Sequence, residues 1–305
     1  MFQLQEKWEA RATVRSRPYI SFDTNGAGYF YPISRQPIAV HPKILEKGDD
    51  ALKYLLIQSL YKYSNDISSI ETRIVNTTIL KVISGQLDLE FSDEQKLNLY
   101  TIMVDEAYHA YVAYDSLLQI EKETGVKPLP LPKTIEIERA IRIVKEKLPI
   151  KYHDIFELIC VCLAENTLTK EIVTMTDKDE THPFFQKIIK DHLSDETRHS
   201  GVFFHLLGHI WSKVDIDCKR NIGLVLVEFL DTYLGVSVQK EFDKQILIEL
   251  NFSDLDADLI LNDVYAGFSL TRNHPMLMNI LNLLEKSGMM DEYISPSFKT
   301  RGWIL

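Results

Sequence analysis

The stretch Lys190 to Ser200, KDHLSDETRHS, constrains this chain more than any other. It sets His192, Glu196 and His199 at steps of four and three, which on an α-helix stack three side chains on one face. That face runs on apolar in both directions, through Phe185, Ile188 and Ile189 before it and Phe203, Leu206 and Ile210 after it. Two imidazoles and a carboxylate therefore lie mid-stripe on a surface that faces a core. Burying such groups is costly unless something pairs with them, and a metal ion would satisfy all three at once.

Three further apolar stripes carry the same kind of interruption. Leu52, Leu55, Leu56, Leu60, Tyr63, Ile67, Ile70, Ile74 and Thr78 recur at three and four, predicting a helix from about 49 to 84, and Glu71 falls within its stripe. GQLDLEFSDEQ closes it, and Ser92 is placed to cap the next helix, with Glu94 and Gln95 in the first turn. That second helix, about 93 to 123, has the stripe Leu99, Ile102, Glu106, His109, Ala113, Leu117 and Ile120. A third, about 151 to 175, aligns Ile155, Leu158, Cys162, Glu165, Leu168 and Ile172. The starting stretch lies on a fourth, which Pro183 opens and which runs to about 212.

The remaining chain is less constrained. A rigid Pro-rich connection and a shorter helix over about 134 to 147 join the second and third stripes, and TDKDETHP is a polar turn before the fourth. Residues 1–48 mix Pro, Gly and aromatics without a helical period, and are expected to wrap the scaffold as coil. Further helices are expected over about 217 to 287, ahead of a tail whose Arg301-Gly302-Trp303 has no assignable role. No alternation strong enough for a sheet is present. The expectation is an all-α protein of a single domain, 1–305: an N-terminal wrapping segment at 1–48, a metal-binding helical core at 49–215, and additional helices and tail at 216–305.

Composition narrows the function classes. A net charge of −10 argues against a nucleic-acid partner, and part of the acidic excess can be buried carboxylate. Three cysteines, Cys160, Cys162 and Cys218, form no zinc or redox motif, and their sparse use fits a reducing compartment. The first residues, MFQLQEKWEARATVRSRP, have no apolar signal core, and no uninterrupted apolar run approaches the ~20 residues of a bilayer span. The expected location is cytoplasmic, with no membrane partner.

Collected, the interruptions are Glu71; Glu106 and His109; Glu165; and His192, Glu196 and His199. Their order is a lone Glu, an E-x-x-H, a second lone Glu, and an H-x-x-x-E-x-x-H. Ferritin-like four-helix bundles use two lone Glu and two E-x-x-H motifs to hold a carboxylate-bridged metal pair. Taken singly, an E-x-x-H on a helix is more often a solvated pair, and a lone Glu more often a salt-bridged carboxylate. The order and the mid-stripe placement of every member are what point to metal. Asp105 and Asp195 precede the two motif glutamates in a weak repeat, DEAYHA and DETRHS. They can accept the second N–H of a metal-bound imidazole, or lie on the surface. Thr72, Val75, Asn166, Thr169 and Phe203, one turn from these groups, line a pocket or simply pack.

These residues resemble the p-aminobenzoate N-oxygenase family, the arylamine-oxidising branch of ferritin-like diiron oxygenases. Most carboxylate-bridged diiron enzymes have two histidine ligands; this family has a third, four residues before the second E-x-x-H, as His192 stands here. The resemblance covers about residues 50 to 215, and none of the seven positions departs from it. It implies a non-haem diiron centre, O₂ as co-substrate, and an external electron donor or redox partner. It also implies an amine substrate oxidised at nitrogen, through a peroxo-diferric oxidant, to hydroxylamine, nitroso or nitro products. A homodimer is expected. Readings that keep the metals but change the chemistry are C–H oxidation, a carrier-tethered aminoacyl substrate, radical storage, and ferroxidase or iron-storage activity.

Overall fold

The computed structural model describes residues 3–24, 26–176 and 180–305, so the polar turn expected at 176–183 lies partly outside the described residues. The first long stripe forms one continuous helical rod: α4 (Asp49–Ser69), a π-helical turn (Ile70–Val75) and α5 (Asn76–Ile83). Next comes α6 (Asp93–Thr124), where the Ser92 hydroxyl and the Gln95 side chain each bond the other's backbone N–H. Gly125, at φ 72°, ends it in the left-handed conformation. The short α7 (Glu136–Lys145) leads to α8 (His153–Val173), and Pro183 opens α9 (Pro183–Lys213). The protein is all-α: no strand occurs among the described residues, and Tyr29 and Thr181 form a lone parallel bridge.

Four rods close a ring. The α4 helix packs on α6, α6 on α9, α9 on α8, and α8 back on α5. Two apolar clusters fill it end to end, and the polar groups lie between them. On the first rod Ile67 belongs to one cluster and Val75 to the other, with Glu71 between; on α8 Leu168 and Ala164 flank Glu165 in the same sense. On α6 Ala113 and Ile102 bracket Glu106 and His109, and on α9 Ile189 and Phe203 bracket His192 to His199. A polar layer one to two turns thick therefore splits the core at a single level.

The N-terminal segment departs from the coil expectation. It begins with two helices, α1 (Gln3–Arg11) and α2 (Thr13–Ser16), which pack on α6, α2 also touching α9. Only Leu4 and Trp8 on α1, with Ala12 just after it, form an inward apolar face, too narrow a stripe to stand out among its polar residues. The tie between the N-terminal segment and the start of α9 is tight: Tyr29 N–H donates to Glu180 O (2.8 Å) and His182 N–H to Tyr29 O (2.8 Å). A side chain on Gly28, at φ 121°, would meet Glu180 O at 2.8 Å.

Beyond the ring lie α10 (Ile216–Tyr233), α11 (Ser237–Glu249), α12 (Asp254–Tyr265), α13 (Pro275–Lys286) and α14 (Ser295–Thr300), with α3 (Pro42–Leu45) before it. By length and composition alone the stretch Ile216–Glu249 could cross a membrane, though charged residues interrupt it. The chain breaks it into α10 and α11, and turns Ile222, Leu226, Phe229 and Leu230 into the core. The tail acquires a role as packing: Trp303 is buried and donates to Leu270 O (3.1 Å), while Arg301 pairs with Asp231.

Candidate metal centre

All seven groups singled out from the stripes meet in the polar layer, and each is buried. They form two sets, Glu71, His109 and His192, and Glu106, Glu165, Glu196 and His199, each with ligand atoms close enough to hold one ion. The sets touch: His109 Nδ1 lies 3.4 Å from Glu106 and 3.6 Å from Glu196, and His192 Nε2 lies 3.2 Å from both Glu71 and Glu196. His199 Nδ1 is 2.8 Å from Glu106 and 3.3 Å from Glu196. Glu71 sits in the π-helical turn, where the wider winding sets its phase between α4 and α5.

The imidazoles are aimed by crossed contacts. His109 Nε2 faces Asp195 (3.1 Å), and His199 Nε2 faces Asp105 (3.2 Å). A carboxylate only accepts, so each ring carries its proton on Nε2 and turns the Nδ1 lone pair toward the centre. Each motif's aspartate thus orients the other motif's histidine. Both aspartates are held in turn: Trp8 Nε1–H donates to Asp105 (2.8 Å), the Thr13 hydroxyl and backbone N–H donate to Asp195, and Arg198 bridges the two at 3.0 and 2.5 Å. His192 differs, as no hydrogen bond reaches its Nδ1 among the described residues.

Buried atoms test whether metal fits. Both carboxylate oxygens of Glu165, Glu71 Oε2 and Glu196 Oε2 lack a hydrogen-bond partner, while Glu106 Oε1 faces His199 Nδ1 and Glu71 Oε1 faces His192 Nε2 only at ion-pair distance. Leaving so many buried acceptors unpaired would be prohibitive, and all of them surround one volume. Four carboxylates balance two divalent cations, and one or two imidazoles per ion leave positions open. The residues fit a metal pair. Without cations the same layer must hold protons. Burial pushes Glu71 and Glu165 well above the usual carboxylate range. Against burial, the Asp195 contact lifts His109 to about 9, and Glu106 and Glu196 lift His199 well above the usual imidazole value. Burial acts against ionisation of Glu196 too, but the charge on His199 holds it well below.

Of the residues one turn away, for which lining and packing were both open, none lines the cavity that ends on His109 and His192. Val75 and Phe203 pack in the core, Thr72 is exposed, and Asn166 and Thr169 bond carbonyls of their own helix. The cavity instead ends on His109 and His192 and runs toward the N-terminal ends of α4 and α9, past Ile67, Ile189 and Tyr63. Trp8 and Thr13, which brace the aspartates, escaped the sequence reading. The step of four between Leu4, Trp8 and Ala12 was the one available signal for α1.

No curated protein matches this chain. A family model does: P-aminobenzoate N-oxygenase AurF matches residues 2–246, reaching well past the 50–215 expected and taking in the bracing segment that holds Trp8 and Thr13. That match spans most of the chain, and the protein belongs to the p-aminobenzoate N-oxygenase family of diiron oxygenases.

Proposed function

We propose that the protein is a non-haem diiron oxygenase that oxidises an amine nitrogen with O₂. The observation that carries this reading is the gathered set of four carboxylates and three imidazoles in a chain of this family, beside which a small apolar cavity of about 40 Å³ ends on His109 and His192. An oxygenase must bring a substrate atom to the metals, and this cavity marks an apolar side from which one would approach. Iron held by Glu71, Glu106, His109, Glu165, His192, Glu196 and His199 would supply O₂ reduction and oxygen-atom transfer. The chain's own part is to bind the amine along Ile67 and Ile189, exclude bulk water, and keep His109 and His199 fixed through Asp195 and Asp105. The balance is RNH₂ + O₂ + 2e⁻ + 2H⁺ → RNHOH + H₂O, so an external electron donor is required.

The test is to count iron in the purified protein, reduce it, and expose it to O₂ with a panel of amines followed by mass spectrometry. Two irons per chain and a hydroxylamine product are expected. O₂ consumption and iron oxidation without a product from any amine would replace the proposal with ferroxidase activity. Products oxygenated at carbon alone would replace it with C–H oxidation.

A further inference from the structure

The fold leaves one face of α6 bare. Leu97, Tyr100, Val104, Ala107, Tyr111, Tyr114 and Leu118 recur at alternating steps of three and four, an unbroken heptad pattern, and all seven are exposed. The pattern stops at Asp93 on one side and at Glu121 on the other. Tyr100, Tyr111 and Tyr114 are 51%, 53% and 61% exposed, and Tyr19, itself exposed, widens the stripe by donating its hydroxyl to Asp115. The other rods of the ring differ. Among the described residues α9, almost as long, exposes no large apolar side chain, α8 only Val173, and the first rod only Leu80. Single exposed apolar residues are ordinary, but a contiguous stripe of them marks an interaction site.

The stripe also says what covers it. A heptad repeat keeps one seam in contact with a second helix along its whole length, at a shallow crossing angle. Aromatic side chains offer about 150 to 250 Å² each, so the stripe presents on the order of 700 Å² per copy, close to the roughly 800 Å² per partner of a stable interface. None of its seven members is charged, which suits a lasting apolar contact better than a brief encounter with an electron donor. The two halves of the stripe are complementary in size. Tyr111 and Tyr114 fill the C-terminal half, Leu97 and Val104 lie in the N-terminal half, and the small Ala107 sits between. A parallel pair would stack the tyrosines on their own copies and align the two helix dipoles. An antiparallel pair sets them against the partner's Leu97 and Val104, opposes the dipoles, and brings the backbones closest at Ala107.

We infer that the protein is a homodimer whose two copies meet along this stripe, α6 against α6, antiparallel about a two-fold axis near Ala107. Asp105, Glu106 and His109 lie on the opposite, buried face of the same helix. The pairing therefore leaves the metal centre uncovered by the partner and clamps the helix that carries two of its candidate ligands.

The experiment is sedimentation velocity on the full chain, which is expected to be a dimer at micromolar concentration. Tyr111→Glu combined with Tyr114→Glu puts like charges into the seam and should raise the dimer dissociation constant at least roughly 100-fold, with circular dichroism checking the fold. Val104→Glu, a single change at another exposed position, gives an independent reading in the same direction. Leu224→Glu, on the 80% exposed Leu224 of α10, should leave the dimer intact. Under mild oxidation Ala107→Cys should cross-link to its own copy and Leu97→Cys should not, and Cys160, Cys162 and Cys218 are all buried and will not compete. A native protein that is monomeric, or a dimer indifferent to both sets of glutamates, would overturn the inference. Cross-linking of Leu97→Cys to its own copy would overturn the antiparallel arrangement. A monomer that binds a reduced iron–sulfur or flavin donor protein, and loses it on the same substitutions, would assign the stripe to the donor instead.

Discussion

Thr13→Val isolates the bracing of the centre from the centre itself. Thr13 hydrogen-bonds none of the seven candidate ligands; its hydroxyl donates to Asp195, which accepts from His109. Valine keeps the β-branch and removes the donor. A hydrogen bond to a buried charged group contributes about 1.5 to 3 kcal/mol. The low end applies, because Arg198 and the Thr13 backbone N–H still reach Asp195. Spread over the unfolding entropy of a 305-residue chain, about 1.5 kcal/mol corresponds to a Tm loss of ~2 °C in metal-free protein. Loosening His109 should also weaken metal binding ~10-fold, as losses behind a metal-bound histidine do. Calorimetric melts and competitive chelator titration read the two effects separately. Thr13→Ser, which keeps the hydroxyl, should retain most of the metal affinity. If Thr13→Val matches the native protein in both assays, or Thr13→Ser is equally damaging, the hydroxyl does not support the site in the way argued.

Other outcomes follow from features away from the cavity. Asp243 is fully buried among Gln36, Gln239 and Tyr265, and burial lifts it from 3.8 to about 6. The folded state thus holds this proton more tightly than the unfolded, so stability falls by about 3 kcal/mol as pH rises from 4 to 6 and is flat above. In Asp243→Asn that decline should vanish, which denaturant titrations across the window will read as a growing difference from the native protein. A side chain on Gly223 would meet Tyr293 O at 2.1 Å, so Gly223→Ala should cost at least about 2 kcal/mol in the same assay. Gly201→Ala, with nothing within 4 Å, should gain roughly 0.5 to 1 kcal/mol. Chelating the metal should lower Tm, and restoring free ion to 100 times its Kd should return about 2.7 kcal/mol.

Much of this architecture was legible because burial makes polar interruptions conspicuous. Glu71, Glu106, His109, Glu165, His192, Glu196 and His199 each break a long apolar stripe, and the structure gathers all of them between the two apolar clusters. Capping chemistry was equally direct, at Ser92 and at Pro183. What escaped was set by tertiary contacts rather than local pattern. Nothing near Thr13 announces a partner 182 residues away. The π-helical turn at Ile70–Val75 shifts the phase by a fraction of a turn, which a stripe of isoleucines at three and four cannot reveal. One turn from the candidate ligands, where pocket lining and packing were both open, Val75 and Phe203 pack in the core, Asn166 and Thr169 bond helix carbonyls, and Thr72 is exposed. The free volume lies farther along the axis.

The crossed aspartates make the centre a proof-reader of the chain's own folding. His109 is aimed from 86 residues downstream and His199 from 94 residues upstream, so neither E-x-x-H motif can prepare its imidazole alone. Ions cannot be captured tightly by a nascent α6, however well formed, until α9 has been made and docked. Loading with metal would therefore certify that α6 and α9 have docked, and a lesion in one motif would be felt first by its twin.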